Sequence, residues 1–193
     1  QTKAIIPVHF GGLACEMDDI LSLARRYNLV IIEDAAHAVG TRYRGRMIGE
    51  IGDLTCFSFY ANKNLTVGEG GMITTSDEEM AERIAVYRLH GLSKHAWQRY
   101  TSQRLVLSDA IVPGYKYNMP DLMASLGIHQ LAKLESFLET RERYARIYDD
   151  AFATLPGIRL QPRQKDDANR HALHLYVLLF DLARFKVPRN QII

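Results

Sequence analysis

The sequence is short of several things, and each shortage removes a class of protein. Only two cysteines, Cys15 and Cys56, occur in 193 residues. They stand in apolar contexts without metal-like spacing, so neither a disulfide framework nor a metal centre is implied, and they read as reduced core residues of a cytoplasmic protein. No segment approaches the roughly 18 continuous apolar residues that a membrane span requires, and no secretory signal is recognisable. Charge of one sign is not in excess either: 24 Lys and Arg against 22 Asp and Glu leave a net +2. That balance argues against nucleic acid or a membrane surface as the main partner. No Gly-x-Gly-x-x-Gly follows either early strand, which removes a dehydrogenase-type nucleotide module. Internal repeats and low-complexity stretches are missing, as is an initiator methionine. The chain opens on Gln1-Thr2-Lys3 directly before a strand and stops at Ile193 as a helix begins, so it reads as a piece of a longer protein.

What is present is an ordinary globular composition, 47% hydrophobic and 24% charged, long enough for one sizeable core. Ala4–His9 reads as a strand interrupted by Pro7. Met17, Ile20, Leu21, Leu23 and Ala24 fall close to helical spacing, with Asp18 and Asp19 in the first turn, and Asn28 closes that helix. Leu29–Glu33 is a second apolar run, which makes residues 4–33 a parallel, right-handed βαβ unit. Short extended pieces and turns fill 42–53. Leu54–Phe59 and Met72–Thr75 are further strands, and Ser76 reads as the N-cap of a helix from Asp77 to Leu89. Residues 90–118 are irregular, and a connection of that length usually carries function or motion. From Pro120 to Leu155 the pattern is helical, with Gly127 and the charged run Glu139–Arg146 suggesting two segments or a bend. After Pro156-Gly157, His174–Phe180 reads as an apolar strand that opens a second, smaller domain.

One constellation points to chemistry. Lys63 follows the strand 54–59 and precedes the turn Gly68-Glu69-Gly70-Gly71, and Asp34 directly follows the strand 29–33. Ligands of open α/β sheets bind outside the carboxyl ends of the strands. If both strands lie in one sheet and run the same way, both side chains reach one crevice. A lysine there can form an imine with a carbonyl cofactor, and an aspartate can keep a pyridine nitrogen protonated, the two needs of pyridoxal 5′-phosphate. Ser58 is placed to bond a phosphate through its hydroxyl. Each residue also has a plain structural role open to it. Lys63 could be a surface lysine, Asp34 a turn cap, Ser58 a backbone partner and His37 a packed core histidine, and Asn118 could cap the helix near Pro120.

Four segments in order decide between these roles: Glu33-Asp34-Ala35-Ala36-His37; Phe57-Ser58-Phe59 with Lys63-Asn64-Leu65 and Gly68-Glu69-Gly70-Gly71; Arg88-Leu89-His90-Gly91; and Gly114-Tyr115-Lys116-Tyr117-Asn118-Met119. Together they resemble the DegT family of pyridoxal-phosphate sugar aminotransferases, within the aspartate aminotransferase superfamily of fold type I. The resemblance runs from about Lys3 to Phe180. Around Gly45-Arg46, His90-Gly91 and Gly114–Asn118 it is most similar to the branch that forms 4-amino-4-deoxy-arabinose on UDP.

The resemblance implies a three-layer α/β/α large domain with the start of a small α+β C-terminal domain. Residues 1–127 would be part of the pyridoxal-phosphate domain, 128–156 connecting helices and 157–193 the beginning of the small domain. It implies that Lys63 holds the cofactor as an imine, Asp34 pairs with the ring nitrogen, His37 stands beside the ring and its phenolic oxygen, and Ser58 binds phosphate. Asn118 would reach the phosphate of a neighbouring subunit's cofactor, so a homodimer with shared active sites is implied as well. The amino donor would be glutamate and the acceptor a keto group on a nucleotide-linked sugar, for polysaccharide, lipopolysaccharide or secondary-metabolite sugars. Lys116, Arg99 and Arg104 are candidate contacts for the sugar nucleotide's phosphates. Relatives carry a preceding segment whose backbone donors and stacking aromatic complete the cofactor's cradle, and this stretch alone is expected to be inactive. The rivals are a sugar dehydratase or amino-aromatic synthase on the same scaffold, and a non-catalytic regulatory homologue. Dehydratase relatives carry histidine where this chain has Lys63.

Overall fold

Alternating apolar runs and one amphipathic helix build the first half of the molecule. A computed structural model of the chain describes residues 1–92, 109–163 and 168–192. The strand β1, Ala4–Ile5, leads through a tight turn at Phe10–Gly12 into helix α1, Met17–Tyr27, and strand β2, Val30–Asp34. β1 and β2 pair in parallel, as the sequence implies for a βαβ unit. Asn28 ends α1 in the left-handed conformation, its N–H reaching back to the carbonyls of Ala24 and Arg25, a geometry that Asn tolerates well. The expected strand 4–9 is cut at Pro7. That residue has no N–H to give, although its carbonyl still accepts Asp34 N–H at 2.9 Å, and Val8 bridges Asp34 separately.

The turn region 42–53 holds a two-residue hairpin, β3 (Arg42–Tyr43) and β4 (Arg46–Met47). Strand β5, Leu54–Ser58, runs parallel beside β2, with Asp34 in register with Cys56. β6, Gly71–Thr74, closes the sheet antiparallel to β5, so the order is β1-β2-β5-β6. Ile31 of β2 and Met17 and Ala24 of α1 are buried in one cluster with Ala35, Tyr43 and Ile48. Burying a side chain such as Ile31 contributes about 1.5–3 kcal/mol.

Helix α2, Glu78–Tyr87, corrects one expectation. Its cap is Asp77, whose carboxylate accepts Met80 N–H at 3.0 Å, and not Ser76. Thr75 Oγ1 in turn accepts Asp77 N–H, which sets the start one residue later. Helix α3 spans Asp121–Phe152 without a break, where a bend or two segments were expected. Gly127 does not interrupt it; a Cβ there would stand 3.2 Å from Val67 Cγ1, so the glycine lets the helix approach the second apolar cluster of Phe59, Leu65 and Val67.

The C-terminal part holds an antiparallel pair, β7 (Ile158–Leu160) and β8 (Leu178–Phe180). The expected strand 174–180 is therefore much shorter. Its upstream part is spent elsewhere: Ala172 N–H donates to Gly12 O and Leu175 N–H to Gly11 O, so residues 172–175 lie on the Phe10–Gly12 turn. No helix among the described residues is long and apolar enough to cross a membrane, and no group of three potential metal ligands occurs among them.

Candidate active site

β2 and β5 end side by side, and the residues at and just beyond those two ends carry the candidate chemistry. Asp34 is the last residue of β2 and is half-buried. Its Oδ1 accepts Ala36 N–H at 3.0 Å, turning the chain toward His37. The other oxygen, Oδ2, takes no hydrogen bond among the described residues. Burial pushes the neighbouring Cys56 thiol up, and the Asp34 charge adds to it.

Lys63 lies in the turn after β5, its N–H on Tyr60 O at 3.0 Å. It is half-buried, and among the described residues its ammonium has neither an ion pair nor a hydrogen bond. His37 connects the two ends. Burial pushes its ring below the ordinary value, the Lys63 charge pushes it further, and the Asp34 carboxylate opposes both. Groups from two strand ends thus act on one ring, as the parallel pairing of the strands allows. His37 Nδ1 accepts Gly11 N–H at 3.2 Å, which leaves the ring proton on Nε2.

Ser58 ends β5, and its Oγ accepts Tyr60 N–H at 3.3 Å, leaving the hydroxyl proton free to donate. Lys116 and Asn118 bind each other, Nζ to Oδ1 at 2.7 Å. The capping role open to Asn118 is not taken up: Pro120 occupies the N-cap of α3, and Asn118 gives it no bond. Asn118 precedes Met119, which packs on the Val67 cluster beside the glycine turn. No described contact joins Asn118 or Lys116 to the Lys63 group. Arg99 and Arg104 lie outside the described residues.

Two further residues belong here that the sequence alone did not single out. Asn64, next to Lys63, is buried; its Nδ2 donates to Ala172 O at 2.6 Å, and its Oδ1 meets His174 Nδ1 at 3.3 Å. The His174 ring lies against His37 with centroids 4.4 Å apart. Burial pushes His174 down to about 4, helped by the charges of His37, Lys63 and Arg141. Asn64 stands inside the motif that flags Lys63, and this was its only sequence signal. His174 had none, being a single polar residue in an apolar run.

The donor set fits pyridoxal phosphate: an amine and a carboxylate oxygen that have no partner among the described residues, and a hydroxyl with a free proton, gathered at the carboxyl ends of adjacent parallel strands.

Comparison with known proteins agrees. The profile described as the DegT/DnrJ/EryC1/StrS aminotransferase family matches residues 1–193. The spore coat polysaccharide biosynthesis protein SpsC of Bacillus subtilis is 53% identical over 193 residues, covering 100% of this chain and 49% of SpsC. Among solved structures, the PMP form of Spr1654 from Streptococcus pneumoniae, assigned as a sugar aminotransferase, superposes with a TM-score of 0.82 at 34% identity, over 93% of this chain and 50% of that one. Helicobacter pylori PseC, an aminotransferase of pseudoaminic acid biosynthesis, gives 0.84 at 27% identity, over 94% and 46%. The chain spans about half the length of the curated relatives it matches.

Proposed function

The chain belongs to the DegT/DnrJ/EryC1/StrS aminotransferase family, and from that premise we propose that the full-length protein moves an amino group, using pyridoxal phosphate, onto a keto group of a nucleotide-linked sugar. The single observation that supports this reading is the convergence of Lys63 and Asp34 on His37 at the ends of β2 and β5. Bound there, the cofactor supplies an electron sink that draws electron density away from the carbon bearing the amino group. Lys63 would hold it through Nζ and, once released, carry a proton between the two carbons on either side of the amino nitrogen, as base and then acid. Asp34, through its unpartnered oxygen, would keep the ring nitrogen protonated. His37 would offer Nε2–H to the phenolic oxygen, and Ser58 its hydroxyl to the phosphate. Asn118 would serve the phosphate of a second subunit, which makes the working unit a homodimer.

Glutamate is the proposed amino donor, and Lys116 with Arg99 and Arg104 the proposed contacts for the nucleotide's phosphates. Residues 1–127 belong to the large domain in this reading, 128–156 connect, and 157–193 begin the small domain; the enzyme works in the cytoplasm. The relatives' names support a polysaccharide or cell-surface sugar as the acceptor class. The similarity around Gly45-Arg46, His90-Gly91 and Gly114–Asn118 favours a UDP-linked keto-pentose, whereas SpsC and PseC carry other products in their names. The test is to incubate the full-length protein with glutamate and a panel of keto-sugar nucleotides and to follow 2-oxoglutarate release. Release that depends on one sugar supports the reading. Release with none, or loss of a sugar hydroxyl without amino transfer, refutes it in favour of a non-catalytic homologue or a dehydratase.

A further inference from the structure

The rings of His37 and His174 lie against each other, and each has its tautomer set by a different partner. Asn64 Nδ2 donates to Ala172 O, so its Oδ1 faces His174 as an acceptor. His174 Nδ1 must then carry the proton, and its Nε2 is a bare lone pair. His37 is the reverse: Gly11 N–H occupies its Nδ1, and the proton sits on Nε2. The rings therefore lie 4.4 Å apart in opposite tautomers, each fixed by a partner on its other side. Protonating His37 would set Nδ1–H against Gly11 N–H and place a cation against a ring that has no charge to offset it.

The second ring comes from the C-terminal segment, and that segment is firmly seated. Ala172 and Leu175 donate to Gly12 O and Gly11 O, and Thr41 Oγ1 donates to Gly12 O at 2.7 Å. Gly12, at φ +97°, could not carry a side chain, because a Cβ would meet His37 O at 2.9 Å and Leu173 N at 3.0 Å. Arg141 from α3 donates to Leu173 O at 3.0 Å. The charged and titratable groups that face the pair are Lys63 and Asp34 on the His37 side and Lys63 and Arg141 on the His174 side.

We propose that His174 is a positioning residue for His37, shielding its ring so that it stays neutral with the proton on Nε2 and meets the cofactor as a donor. The same residue, through Asn64, joins the seating of the C-terminal segment to the turn that carries Lys63. This rests on the crevice being the transamination site, but its test reads only the chain's own rings.

The test is nitrogen-15 and carbon-13 NMR of histidine rings in the full-length protein, titrated with pH for the natural protein, His174→Ala and His174→Phe. The natural protein should show His37 with its proton on Nε2 and a midpoint below the ordinary 6.5. In His174→Ala water reaches the ring and the midpoint rises toward that value. In His174→Phe the shield remains and the midpoint stays low. A residue with no bearing on His37 would leave the His37 titration alike in all three. A proton on Nδ1 in the natural protein, an unchanged midpoint in folded His174→Ala, or a midpoint raised to the free value in His174→Phe would each overturn the proposal. Should His174→Ala fail to fold, the tautomer and the phenylalanine variant still decide. Failure of the transaminase reading shows separately, as an absence of 2-oxoglutarate release while the ring titrations meet these expectations.

Discussion

Glu33 and Asp34 are neighbours at the end of one strand and carry the same charge, yet they do opposite work. Strand alternation sends them to opposite faces. Glu33 points inward and is fully buried. Both of its oxygens have partners: Oε2 meets His9 Nε2 at 2.8 Å, and Oε1 accepts Gly52 N–H and the Thr55 hydroxyl, each at 2.7 Å. His9 Nδ1 accepts Cys15 N–H, so the pair ties the segment before α1 to the sheet's centre. Burial alone would push the Glu33 carboxyl up, but the bonds from His9, Gly52 and Thr55 outweigh it and hold it down. Asp34 stays half-buried with one oxygen unspent. A charge whose partners are all inside the protein stabilises the fold, and a charge with a free lone pair is available to a ligand.

Breaking each carboxylate should therefore give different losses. The largest effect is on the ligand side: Lys63→Ala should remove the covalent cofactor and all turnover in the full-length enzyme, with stability little changed. Asp34→Asn should keep the fold and cut turnover at least about a hundredfold, the scale of a lost preorganised electrostatic contact. Steady-state rates and a urea titration on each protein separate these outcomes, and an Asp34→Asn protein of natural activity would break the comparison.

On the structural side, Glu33→Ala strands His9, the Gly52 N–H and Thr55 in the interior. Removing one member of such a pair costs about 3–5 kcal/mol, read from denaturant midpoints, while the fraction that still folds should retain its rate. A smaller effect tests the helix start: Asp77→Ala should cost about 0.5–2 kcal/mol, whereas Ser76→Ala should be close to silent.

Acid sharpens the contrast by its order of events. His171 and His174 are both pushed down to about 4, first by burial. Groups with depressed histidine values bind protons more readily when unfolded, so the stability they lend is complete above about 6.5. It declines as pH falls from there toward 4. Glu33 acts lower, because its depressed carboxyl lends stability above the ordinary carboxylate value of about 4.3, and that is lost as pH falls through its folded value. Melting temperature against pH should thus show two successive falls, the histidine one at higher pH, and the Glu33→Gln variant should lose only the second.

The sequence carried the framework well where local rules were enough. Apolar runs and the Asn28 stop were legible for β2 and α1, and the order of the motifs pointed to the crevice. It was less legible where partners decide. Glu33 and Asp34 read as one acidic strand end, because alternation assigns faces but does not reveal that His9 and Thr55 wait on one of them. The strand 174–180 looked continuous because its apolar pattern is the same whether its N–H groups meet another strand or, as here, the carbonyls of Gly11 and Gly12. Gly127 looked like a break because nothing nearby in sequence announces Val67. Asn64 and His174 lie 110 positions apart, and only the fold brings them together.

The central claim, that Lys63 is the residue that holds the cofactor, is tested most directly by incubating the full-length protein with pyridoxal phosphate, reducing with borohydride and mapping the labelled peptide by mass spectrometry. A single pyridoxyl group on Lys63, missing from Lys63→Ala, is the predicted result. No label, or label spread over exposed lysines such as Lys116, would contradict it.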